Sequence, residues 1–171
     1  LRDAIILTLQ FDEASDALFQ DLRRRHYPPE LNRVGAHLTL FHSLPGSEED
    51  VIVREVAKLA KSTPPFPVAV EGPTRLGRGV ALKIKSDKLA EVRQALAKTF
   101  KAALTGQDRE AFRPHVTIQN KVAEHAASAL FDHLAQTLPP FEATAEGFQL
   151  WRYGGDRWTP VAAVPFQGAP E

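Results

Sequence analysis

The sequence has no cysteine and no methionine, and its 21 Lys and Arg are balanced by 21 Asp and Glu. Without a thiol there is no disulfide framework, no cysteine nucleophile and no thiolate metal site. The start at Leu1 and the absence of methionine lead to the expectation that the natural start lies upstream, and nothing present resembles a cleaved leader. A protein that grips long nucleic acid nonspecifically usually carries a basic excess, because affinity comes from neutralising phosphates. Zero formal net charge points instead to a small ligand or a nucleic-acid end. No apolar run is long enough to span a bilayer. No low-complexity segment or long linker interrupts the chain. The length fits one domain, or two small lobes sharing a sheet. A cytoplasmic monomer with an ordinary core is expected.

Against those absences stands one short string, present twice: His37-Leu38-Thr39-Leu40 and His115-Val116-Thr117-Ile118. Each reads His, aliphatic, Thr, aliphatic. Side chains alternate faces along a β-strand, so His and Thr project one way and the aliphatics the other. The aliphatic face calls for a core, and the polar face can line a cleft. Two such strands facing each other would gather two imidazoles and two hydroxyls. That set suits acid–base chemistry on a phosphate ester. One strand His beside a Thr is ordinarily a surface or hydrogen-bonded residue; the matched pair is what carries the functional reading.

The repeat extends beyond the strings. Thr63-Pro64-Pro65-Phe66 precedes Glu71-Gly72, and Leu138-Pro139-Pro140-Phe141 precedes Glu146-Gly147 at the same interval. Helical apolar spacing predicts helices over Glu49 to Lys61 and Ala123 to Thr137. Upstream, each half has a short apolar strand and another helix: Ala4 to Phe11 then Glu13 to Arg25, and Val80 to Lys85 then Asp87 to Leu104. Each half therefore reads strand, helix, motif strand, helix, strand, the mark of an internal duplication. Gly77 to Gly79 and Gly154 to Asp156 read as hairpin turns. The unperiodic segment from Arg23 to Val34 reads as a rim or lid beside the first motif. The two Glu-Gly pairs read as turn or packing constraints of the repeat.

Parity assigns the remaining candidates. Arg113 and Lys83 have the right parity to touch a phosphate, and Phe41 shares the face of His37 and Thr39, where it could stack a base. Tyr153, near the final turn, could edge a nucleotide pocket. His42 falls on the opposite parity and reads as strand-end structure. His125 and His133 lie off the one-turn spacing of a metal pair, so no metal site is expected.

With these residues in place, the chain resembles the two-histidine (2H) phosphoesterase superfamily, which includes RNA 2′,3′-cyclic phosphodiesterases once called 2′-5′ RNA ligases. The signature is one His-x-Thr-x motif in each of two pseudo-symmetric lobes, and here Arg113-Pro114 precedes the second, as is often seen there. Phe41-His42-Ser43-Leu44-Pro45-Gly46 departs from the Phe-Leu-Gly that often follows the first motif, which places the chain in a divergent branch. The resemblance implies an α+β fold: two pseudo-symmetric lobes, antiparallel sheets lining a central cleft, helices outside. It implies His37 and His115 as the acid–base pair, Thr39 and Thr117 as phosphate ligands, and no cofactor or metal. The expected substrate is a 2′,3′-cyclic phosphate end of RNA or a small cyclic nucleotide. For hydrolysis, His115 is read as base and His37 as acid, roles that pseudo-symmetry lets swap with the bound isomer. The alternatives are a nucleotide-level enzyme acting on an ADP-ribose cyclic phosphate, and an RNA-end binding module that has lost turnover.

Overall fold

The computed structural model describes residues 3–170. Seven strands alternate with five helices: β1 (Ala4–Phe11), α1 (Glu13–His26), β2 (Thr39–Pro45), α2 (Glu49–Ser62), β3 (Phe66–Leu76), β4 (Gly79–Lys85), α3 (Asp87–Thr99), α4 (Gly106–Arg109), β5 (His115–Gln119), α5 (Glu124–Thr137), β6 (Phe141–Tyr153) and β7 (Trp158–Pro165). The first helix of each repeat is capped by a side chain: Asp12 accepts from the Ser15 amide at α1 and Ser86 from the Leu89 amide at α3. The helix expected to reach Leu104 ends at Thr99, and residues 101–103 continue as a 3₁₀ turn. The helix expected over Glu13 to Arg25 runs to His26, so Arg23 to His26, the start of the segment read as a rim, form its last turn.

All seven strands are antiparallel and belong to one sheet, in the order β2-β1-β6-β3-β4-β5, with β7 also on β6. The long β6 joins two wings. Its first residues, Phe141 to Ala145, pair with β3, and the rest pairs with β1 on one side and β7 on the other. The closing strand of each repeat therefore sits beside the opening strand of the other: β3 pairs with β4, and β6 with β1. Helices cross over as well. α1 packs against β5, α2 against β6 and β7, and α5 against β3 and β4.

The two Glu-Gly pairs mark where these strands change partners. The β3–β4 register shifts between Val70 and Gly72, and the β1–β6 register shifts at Glu146. Each is a bulge, which bends a strand and adds twist. A Cβ on Gly147 would stand 2.6 Å from the Val164 carbonyl oxygen, so only glycine permits this approach.

The aliphatic residues of both motifs go where alternation sends them. Leu38, Leu40, Val116 and Ile118 are buried in one continuous core with Leu7, Leu82 and Phe148. Each such side chain contributes about 1.5–3 kcal/mol on burial. Among the described residues no helix is long and apolar enough to cross a membrane.

Candidate active site

Strand register fixes where the motif residues stand. Thr39 lies opposite Thr8 of β1; His115 lies opposite Lys83 of β4, and Thr117 opposite Ala81. His37 immediately precedes β2, whose pairing continues through the Leu9 amide to the Leu38 carbonyl. Both histidines are held in the same way. His37 Nδ1 donates to the Gly35 carbonyl at 2.9 Å, and His115 Nδ1 donates to the Arg113 carbonyl at 2.7 Å. A carbonyl only accepts, so Nδ1 carries the proton in each ring. Nε2 is left without a partner among the described residues, poised to take or give a proton.

Thr39 and His115 line one cleft of about 300 Å³, together with His42, Arg93, Asp108 and Arg113. His37, two residues before Thr39, is half-buried, its ring packed at 4.8 Å against Trp158, which in turn lies 5.9 Å from Trp151. Burial drives the His37 pKa down to about 4; its hydrogen bond to the Gly35 carbonyl opposes this, and the charges of Arg23, His115 and His42 add to it. His37 is therefore neutral at physiological pH, with a lone pair on Nε2. His42 and His115, whose charges contribute to this shift, both line the cleft.

Two buried arginines clamp the halves. Arg23 of α1 donates from Nη1 to the Thr117 carbonyl at 3.1 Å and from Nε to Asn32 at 2.8 Å, with its guanidinium stacked over Tyr27. Arg93 of α3 donates from Nε to the Leu40 carbonyl at 2.8 Å and from Nη2 to the Asp108 carbonyl at 2.7 Å, over the ring of Phe41.

Here the strand parity read from the sequence fails. It sends Phe41 to the cleft and His42 away from it; the structure does the reverse. Two register shifts in β2, around Leu7↔Phe41, put extra residues into the strand and break the alternation. Phe41 is 0% exposed, packed against Phe100 and Arg93, and cannot meet a base. His42 faces the cleft instead. The amides freed by the bulge donate to Asp108: His42 N to Oδ1 at 2.8 Å and Ser43 N to Oδ2 at 3.0 Å. Burial works to raise the Asp108 carboxyl, and the hydrogen bonds from the His42 ring and these amides outweigh it, holding its pKa below the ordinary value.

The other candidates are peripheral. Lys83 shares the face of His115, but its ammonium is largely solvated, 3.8 Å from Glu71. Arg113 is exposed at the cleft rim. Tyr153, 40% exposed, pairs with Trp158 at the end of β6. Arg23, Arg93, Asp108 and Trp158 carry no local signal that would mark them in the sequence. Among the described residues no group of three or more His, Asp or Glu is placed to hold a metal ion.

The 2′-5′ RNA ligase superfamily model matches residues 11–157, a span that takes in both motifs. The chain belongs to the 2′-5′ RNA ligase superfamily. No curated protein matches it by sequence. Solved structures share its fold. TT0787 of Thermus thermophilus is 18% identical with a TM-score of 0.66, covering 96% of this chain and 98% of its own. E. coli LigT complexed with 3′-AMP is 19% identical with a TM-score of 0.62, covering 97% and 99%. E. coli LigT complexed with NADP+ is 17% identical with a TM-score of 0.59, covering 98% and 99%. This member of the superfamily therefore keeps the mixed helix and strand architecture of LigT across nearly its whole length.

Proposed function

We propose that this chain is a metal-independent phosphodiesterase that opens 2′,3′-cyclic phosphates at RNA ends or on nucleotides. The observation that carries the reading is the matched seating of the two imidazoles. Each fixes its proton on Nδ1 through the carbonyl two residues earlier and leaves Nε2 free. LigT, with the same fold, has been seen with 3′-AMP and with NADP+, which fits a nucleotide ligand here.

In the proposed reaction, water attacks phosphorus in line with the departing ribose oxygen. Neutral His37 takes the water proton on Nε2. Protonated His115 gives a proton to the ribose oxygen as its bond to phosphorus breaks. The product is a phosphate monoester on the adjacent ribose carbon. The low pKa of His37 favours this assignment in the free protein over the one with His115 as base. Thr39 and Thr117 donate hydroxyl protons to the non-bridging oxygens, whose charge grows in the transition state.

A product-resolved assay on a panel of 2′,3′-cyclic nucleotides, with and without a strong chelator, tests the proposal. Turnover to a single monoester isomer that survives the chelator is the expected result. No turnover on any member of the panel, with binding retained, would leave the chain as an RNA-end binding module.

A further inference from the structure

The proposed reaction leaves one cleft imidazole unused. His42 is 43% exposed at its side chain, and it lines the same cleft as Thr39 and His115. Its Nδ1 donates to Asp108 Oδ1 at 3.1 Å, and that carboxylate is fully buried. The pairing fixes the ring, places the proton on Nδ1 and leaves Nε2 without a partner among the described residues. A surface histidine needs no buried carboxylate behind it. One so backed presents a preset donor once protonated, with an anion on each side of the ring. Arg113 lines the same cleft with an exposed guanidinium, and Glu110 is the one further acidic residue on its lining.

The neighbouring trough on the first wing has the opposite character. It holds about 730 Å³ over Thr8, Gln149 and Trp151; Glu13, Asp16 and Glu146 line it, and no Lys or Arg does. Three carboxylates turn a phosphate away, whereas Trp151 and the glutamine suit a neutral base. A ribose that holds a cyclic phosphate on its 2′,3′ edge sends its base and its 5′ carbon in diverging directions. The acidic trough therefore suits the base, and the cleft, with His42 and Arg113 on its lining, is the side that can admit a phosphate.

We propose that His42, backed by Asp108, and the Arg113 side chain form a subsite for one further phosphate of the substrate. The preferred substrate is then a 2′,3′-cyclic phosphate that also carries phosphate at its 5′ position, as a monoester or as the next diester of a chain. This rests on the phosphodiesterase reading above and narrows its substrate class.

The test compares KM for cytidine 2′,3′-cyclic phosphate, its 5′-phosphorylated form and a dinucleotide ending in the same cyclic phosphate. In the wild type the added phosphate lowers KM about tenfold or more, the worth of a charge-assisted contact. A gain with both forms identifies a general phosphate subsite; a gain with one alone assigns it to the monoester or the diester. His42→Phe keeps the ring's bulk without a donor and should bring the ratio close to one. His42→Gln, which keeps an amide donor, should restore part of it. Arg113→Gln, an exposed change that spares the fold, should lower it independently. Equal KM values in the wild type, or a gain that survives both His42→Phe and Arg113→Gln, would overturn the subsite while leaving the phosphodiesterase reading intact. No turnover on any of the three would count against that reading instead.

Discussion

Arg23 and Arg93 are counterparts across the duplication: each leaves the first helix of one repeat and donates to a backbone carbonyl in the motif strand of the other, Thr117 at 3.1 Å and Leu40 at 2.8 Å. Both are buried, and burial lowers the pKa of each guanidinium. They tie the two His-x-Thr strands together through the core. Replacing Arg93 by Met should strand the carbonyls of Leu40 and Asp108 and cost about 3 kcal/mol. Lys at this position should recover little, since one ammonium does not reproduce the two-sided fork. Denaturant unfolding of the three proteins checks this; a loss under about 0.5 kcal/mol for Arg93→Met would contradict the clamp.

The catalytic assignment predicts unequal losses within each motif. His37→Ala and His115→Ala should each lower kcat on a cyclic nucleotide by about 10²–10⁴-fold, the usual worth of a general acid or base. Thr39→Val and Thr117→Val keep the shape and remove one neutral donor. They should lower kcat about tenfold to a hundredfold. Steady-state rates on folded variants decide it, and near wild-type rates for both His variants would end the assignment.

His37 predicts the acid limb of the pH profile. As base it must be unprotonated, and in the fold its pKa is about 4. The kcat/KM should therefore hold as pH falls through 6.5 and drop only near pH 4. Trp158→Ala uncovers the ring. Water then reaches it, desolvation eases, and the acid limb should move up toward 6.5. An unchanged limb in Trp158→Ala would show that the Trp ring does not set the His37 environment.

The same shift makes a stability prediction with a definite sign. The unfolded chain binds a proton at His37 near pH 6.5, and the folded chain only near pH 4. Below 6.5 the unfolded state gains protons that the native state refuses, so stability is greatest above 6.5 and falls as pH drops toward 4. Between pH 7 and pH 5 this group should account for about 2 kcal/mol of lost stability. His37→Gln should lose that much less over the same interval, measured by urea unfolding at the two pH values.

The charge balance limits how much RNA the chain can hold. With 21 basic and 21 acidic residues it has no broad positive field. Beyond the reacting phosphate and one neighbour, added nucleotides should change the rate little. The log–log dependence of affinity on salt should have a slope of no more than about two. Turnover against oligonucleotide length at two salt concentrations measures both. A steep gain with length that collapses in salt would reveal an extended RNA groove.

What the sequence determined by itself was local. Apolar periodicity set the helices and strands to within a few residues, because each depends on contacts a few positions apart. The doubled His-x-Thr string, on strands in a repeated layout, identified the motif residues. The Glu-Gly pairs were legible as constraints of the repeat, though not as bulges. Tertiary structure decided the rest. Pairing between distant strands exchanged β3 and β6 between the wings. Register shifts in β2 turned Phe41 into the core and His42 into the cleft. Alternation holds only while a ladder stays in step, and an extra residue in one strand is visible only beside its partner. Arg23, Arg93 and Asp108 read as ordinary charges until burial against far-off carbonyls and amides gives them partners. The neutral state of His37 likewise belongs to the fold, since desolvation is imposed by what packs around the ring and not by its neighbours in the chain.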